Sequence, residues 1–150
     1  PELVVETLQS LVESFENAFE EFGLEKIKTV GDAIVAVAGL SSHTISPVKS
    51  CVDCSYKLRE IANSASMPWD LHLGIHSGSL VAGTVGTKTV QFDILGKTVN
   101  VAFNICDMSV SNQILISSDA WMTARNEIKV KSIGLKRLKS GQDIEMLECV

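Results

Sequence analysis

Glu25-Lys-Ile-Lys-Thr-Val-Gly-Asp-Ala-Ile-Val-Ala-Val-Ala38 is the stretch whose reading decides how the rest of the chain folds. Gly31 and Asp32 divide it, and Gly-Asp is turn chemistry: glycine reaches left-handed backbone at no steric cost, and aspartate bonds its own main chain. The run from Ala33 to Ala38 is apolar and partly β-branched, so it reads as a strand entered after a tight turn. Lys28 and Asp32 are isolated charges on either side of Val30 and Gly31. As residues alone they admit two readings. Lys28 is a solvated strand position and Asp32 a turn residue, or the carboxylate beside the glycine holds a hard cation.

Further along, Gln91-Phe-Asp-Ile-Leu-Gly-Lys-Thr-Val-Asn-Val-Ala-Phe-Asn104 again sets lone polar groups in apolar sequence. Asp93 lies in a short β-like stretch that Gly96 ends, and Asn100 and Asn104 follow four apart on a predicted helix, sharing one face. Asp93, Asn100 and Asn104 are candidates to meet one ligand; the plainer reading makes them a strand-end signal and helix decoration.

Outward from these segments, Val4, Leu8, Leu11, Phe15, Phe19 and Phe22 recur every three or four residues, which predicts a helix over 2–22 with one buried stripe. The remaining pattern predicts strands over 24–38, a helix over 47–64, strands over 69–95 and a helix over 98–108. A strand over 113–116, a short helix over 118–124 and closing strands over 127–132 and 143–149 complete it. Strands interleaved with helices over one sheet give an α+β sandwich. Gly74, Gly78, Gly83 and Gly86 read as tight turns and close strand approach in a hairpin rather than as a phosphate cradle. Cys51 and Cys54 form a CxxC inside a helical pattern with no second pair, so they read as packing, and His43, His72 and His76 show no metal-ligand spacing.

The chain has 150 residues, 45% of them hydrophobic, and three prolines, enough for one buried core and one domain. A net charge of −5 with dispersed lysines and arginines excludes a nucleic-acid backbone as the main partner. The longest apolar run, Ala33 to Leu40, is too short to span a bilayer, and no signal-peptide pattern opens the chain. The four cysteines fit a reducing cytosol, so a cytoplasmic location is expected, with membrane attachment only through segments outside this chain.

Three ordered segments carry a family resemblance: EKIKTVGDAIVAVAGL (25–40), LHLGIHSGSLVAGTVGT (71–87) and QFDILGKTVNVA (91–102). The chain resembles the class III nucleotidyl cyclases, lyases that make cyclic AMP or cyclic GMP for signal transduction. The resemblance covers nearly the whole chain and implies a ferredoxin-like cyclase homology domain, a mostly antiparallel sheet with helices packed on it. It implies that Lys28 and Asp93 read the purine edge, in the combination associated with adenine. A carboxylate accepts from the exocyclic amino group while an ammonium donates to a ring nitrogen. Asp32 matches one of two family aspartates that hold a pair of Mg²⁺ or Mn²⁺ ions, and Asn100 matches the asparagine that orients the ribose. The implied reaction converts ATP to cyclic AMP and pyrophosphate by attack of the 3′-hydroxyl on the α-phosphate. Sites in the family lie between the subunits of head-to-tail dimers, so a homodimer is expected, with pairing to a complementary cyclase domain as the alternative. Lys139, in the glycine- and lysine-rich turn between Gly134 and Gly141, is the candidate phosphate lysine.

Two departures from the family pattern bear on this expectation. Position 104 carries arginine in active members, where its charge stabilises the transition state, and here it is Asn104. Loss of one such preorganised donor commonly costs on the order of 10²-fold in rate. The rival expectation is therefore a catalytically degenerate module that binds nucleotide, regulates or dimerises. The family's first strand, with the other metal aspartate and a phosphate loop, is expected ahead of Pro1. Residues 1–150 are thus expected to form a domain N-terminally truncated relative to the family, with at most half of the metal site.

Overall fold

The computed structural model describes residues 2–41 and 44–150. Helix α1 (Glu2–Phe22) sits on the protein through Leu11, Phe15, Ala18 and Phe19, which share a hydrophobic cluster with Cys54, Leu58 and Ala62 of α2 (Pro47–Asn63). The predicted stripe is buried only from Leu11 onward: Val4 is 42% and Leu8 45% exposed. Periodicity marks which face is apolar, while burial also needs a neighbour, and the cluster under α1 includes neither residue. The CxxC packs as read. Cys51 and Cys54 are free thiols pushed up by burial to about 11 and about 12, far from reactive.

Between the two helices run β1 (Leu24–Val30) and β2 (Ala33–Ala38), an antiparallel ribbon closed at Gly31, whose φ of 60° favours glycine. The chain continues through β3 (Leu73–Ile75), β4 (Val81–Val85), β5 (Gln91–Leu95), α3 (Lys97–Met108), β6 (Ile114–Ser117), α4 (Ser118–Met122), β7 (Val130–Arg137) and β8 (Asp143–Cys149). Among the described residues the strands form three sheets: β1 with β2, β4 with β5, and a four-stranded sheet ordered β3-β6-β8-β7. Every pairing is antiparallel except β3 with β6.

The core lies on both faces of β6. Ile114 and Ile116 enter a cluster with Val48 and Val52 of α2 and Ala120 of α4, whereas Leu115, on the opposite face, enters one with Val101 and Ile105 of α3. Helices thus cover the sheet from two sides, which is the α+β architecture expected. Two strands begin three residues or more from their expected places. The first strand of the 69–95 region starts at Leu73, because the Leu71 N–H donates to the Asn112 side chain at 3.1 Å instead of to a ladder. The strand expected over 127–132 runs Val130–Arg137, lengthened through a bulge between Ser132 and Gly134.

Of the glycines, Gly86 closes the β4–β5 connection at a φ of 110°, as a hairpin glycine should. Gly74 does something else. A Cβ there would lie 2.4 Å from the backbone nitrogen of Cys106, so this glycine lets α3 lie directly on β3. That contact fixes the helix carrying Asn100 and Asn104 against the sheet.

Candidate functional site

Lys28 owes its position to a bulge. Lys26 pairs with Ala36 and Lys28 with Val35, leaving Ile27 as the extra residue on β1. Because Ala36 and Val35 are consecutive, the two lysines emerge on opposite faces of the ribbon. Lys26 turns to α1 and meets Glu16 at 2.9 Å; Lys28 turns away and meets Asp93 of β5, also at 2.9 Å. Asp93 accepts a second bond from its neighbour's N–H, that of Ile94, at 2.8 Å. The Lys28 hydrogen bond, helped by the Ile94 N–H, holds the Asp93 carboxyl below the usual carboxylate range. Across the ladder Asp93 faces Gly83, where even a Cβ would touch nothing, so the carboxylate is open on that side.

The β1–β2 and β4–β5 ribbons share no ladder, so the ion pair spans two separate backbones. Beside it lies a cavity of about 380 Å³ lined by Ile27, Lys28, Thr29, Gln91 and Phe92. Of these only Lys28 stands out in sequence. Ile27, Thr29, Gln91 and Phe92 are ordinary strand residues, and their adjacency to Lys28 and Asp93 is the one local signal that marks them.

A second group gathers on α3. Asn100 sits exposed in the first turn, its N–H reaching the Gly96 carbonyl at 3.4 Å. Asn104 is half-buried: its Nδ2 donates to the Asn100 carbonyl at 2.7 Å, and its Oδ1 accepts from the backbone N–H of Lys139 at 3.4 Å. The Lys139 ammonium lies 3.6 Å from Asp107, one helical turn beyond Asn104. The structure therefore joins Lys28 with Asp93, and Asn104 with Asn100 and Lys139. Among the described residues no hydrogen bond or ion pair joins one set to the other.

Asp32 stands apart on the exposed β1–β2 turn, without a hydrogen bond or ion pair among the described residues. Its charge reaches α3, where the Cys106 thiol is raised by burial first and then by Asp107 and Asp32. As a hard, unengaged oxygen donor it suits a divalent cation in kind. It does not suffice in number: among the described residues no three His, Cys, Asp or Glu side chains gather where an ion could sit. His72 and His76 serve structure, as their spacing suggests. His72 Nδ1 lies 2.8 Å from the Ser109 carbonyl and His76 Nδ1 2.6 Å from the Ser117 hydroxyl, while His43 lies outside the described residues.

The adenylate and guanylate cyclase catalytic domain profile matches residues 1–147. The chain belongs to that family. This cyclase domain is 30% identical over 149 residues to the soluble guanylate cyclase gcy-31 of Caenorhabditis elegans, covering 95% of the chain and 21% of that protein. Over 149 residues it is 28% identical to an adenylate cyclase of Mycobacterium tuberculosis, covering 91% of the chain and 34% of that protein. The domain thus spans about a fifth to a third of these curated relatives, which include both nucleotide specificities. Its fold matches the crystallised guanylate cyclase domain of RhGC from Catenaria anguillulae, in complex with GTP, at a TM-score of 0.91 and 20% identity, covering 98% of this chain and 83% of that one. Cyclase domains of this class generally use divalent metal ions.

Proposed function

We propose that this cyclase domain acts on ATP, forming cyclic AMP and pyrophosphate. The observation that carries the reading is the Lys28–Asp93 pair at 2.9 Å beside an open cavity. Side by side, an ammonium and a carboxylate offer one donor and one acceptor surface. Adenine meets that pattern with a ring-nitrogen acceptor and an amino donor; guanine presents a carbonyl and additional donors at the same edge. Asn100, exposed on the first turn of α3, orients the ribose so that its 3′-hydroxyl lines up with the α-phosphorus, and Lys139 draws the phosphates by charge. Positioning of this kind supplies most of the catalysis in phosphoryl transfer. Asp32 takes one ligand position of a Mg²⁺ or Mn²⁺ ion, two of which serve each site in the family, and the bound ions neutralise phosphate charge. Asp32 alone leaves the ligand set incomplete.

The working unit we propose is a homodimer, or a pair with a complementary cyclase domain. Val81, Val85 and Leu95 support it, lying exposed on the same face of the β4–β5 ribbon as Asp93. A cytoplasmic setting is part of the same proposal. Among the described residues no helix is long and apolar enough to cross a membrane.

One observation favours the rival reading of a nucleotide-binding module without turnover. The Asn104 amide is engaged with its own helix and with Lys139, and it carries no charge for a transition state. Product analysis separates the two. The intact protein is incubated with Mn²⁺ and either ATP or GTP. Cyclic AMP from ATP in clear preference supports the proposal, preferential cyclic GMP overturns the base assignment, and nucleotide binding without cyclic product establishes the rival.

A further inference from the structure

We propose that Asn104 is a positioning residue, a strut that fixes the tip of the β7–β8 hairpin and thereby aims Lys139. The inference rests on the cyclase reading for its functional consequence but not for its geometry. The tip, Leu138 to Gln142, is largely self-closed: the Leu138 N–H donates to the Gln142 carbonyl at 2.8 Å, and the Gly141 N–H to the Leu138 carbonyl at 2.9 Å. The Lys139 N–H is left over, and it reaches across to Asn104 Oδ1. Leu138 anchors the same tip from below, 3% exposed in the cluster with Val101 and Ile105 of α3. Asn104 itself is held by its Nδ2 bond to the Asn100 carbonyl, so its oxygen faces the hairpin in one fixed orientation.

The consequence lies in Lys139, whose backbone is pinned while its side chain is 79% exposed, its ammonium beside Asp107. A pinned base with a free head loses less freedom when it captures a polyanion than a lysine on a loose tip. The Asp107 carboxylate is its resting partner, and a triphosphate, carrying more charge, displaces it. Arginine at position 104 cannot do the same task, because a guanidinium has five donors and no acceptor for the Lys139 N–H. In this chain residue 104 works on the protein rather than on the reacting phosphate.

Hydrogen exchange at the Lys139 amide in the intact protein, without nucleotide, tests the strut directly. Asn104→Ala is expected to speed exchange roughly fivefold or more, as loss of one backbone hydrogen bond implies. Asn104→Asp, whose carboxylate still accepts from the Lys139 N–H but no longer donates to the Asn100 carbonyl, is expected to exchange faster than the native protein and slower than Asn104→Ala. Unchanged exchange in Asn104→Ala overturns the proposal. Initial rates with ATP and Mn²⁺ test the consequence: Asn104→Ala and Lys139→Ala each raise KM, kcat stays within about threefold, and the double variant is no worse than Lys139→Ala. A fall in kcat at unchanged KM, or additive effects, overturns the assignment and puts Asn104 on the reacting group. Should the native protein turn over neither nucleotide, the exchange result still decides the strut, and only the cyclase reading fails.

Discussion

Lys28 and Asp93 answer each other's charge while the cavity beside them is open, and the proposed reading gives both a task on the base. Lys28→Met removes the donor and leaves the carboxylate without its ammonium. Hydrogen bonds to charged groups are worth about 1.5 to 3 kcal/mol, so KM for ATP is expected to rise about tenfold or more, as initial-rate measurements would show. His76 couples stability to pH. Burial holds its pKa below the ordinary imidazole value, with Asp119 opposing in part. The folded protein therefore binds this proton less readily than the unfolded chain. The stability contributed by neutral His76 is complete above about pH 6.5 and is lost as pH falls through the lowered folded value. Thermal melts between pH 8 and 5 should show a steeper acid decline in the native protein than in His76→Asn.

Among the elements, the α3–β3 contact is the least forgiving. Gly74→Ala sets a Cβ against helix backbone that cannot yield like a flexible side chain, so α3 must shift off the sheet. A loss of about 1 to 3 kcal/mol is expected by denaturant titration, with substrate binding weakened as Asn100 moves. The same elements show what sequence could and could not reveal. Lys28, Asp93 and Asn100 were legible because lone polar groups in apolar strands and helices stand out. The face Lys28 occupies was not, since Lys26, Ile27 and Lys28 alternate regularly and nothing local announces that Ile27 is an extra residue. Inserting an alanine between Val35 and Ala36 gives Ile27 a partner and restores strict alternation, and the expected result is a folded protein with Lys28 turned toward α1 and ATP binding lost, measurable by calorimetry. Gly74 read as a hairpin glycine because its true neighbour, Cys106, lies 32 positions away in sequence. Asn104 read as a missing charge; that its amide serves the distant Lys139 N–H depends on tertiary docking that no spacing encodes.

At the scale of the whole molecule, helices clad a four-stranded sheet, and two ribbons share no ladder with it or with each other. If the exposed apolar face of the β4–β5 ribbon pairs with a second copy, Val81→Asp should shift the protein toward monomer in sedimentation at micromolar concentration and lower the specific activity with it. The separation of the ribbons has a further effect, on timing. Where Lys28 meets Asp93 they are held by opposite charge and by no shared backbone bond, so if the base enters between them the ion pair acts as a latch on the cavity. Dissolved salt screens such a latch, and it also weakens the pull on a polyanion. Above the salt at which steering of the polyanion is already screened, a base that must wait for the latch should enter faster as salt rises further even while it is held less tightly, so the on-rate and the affinity for ATP would move in opposite directions.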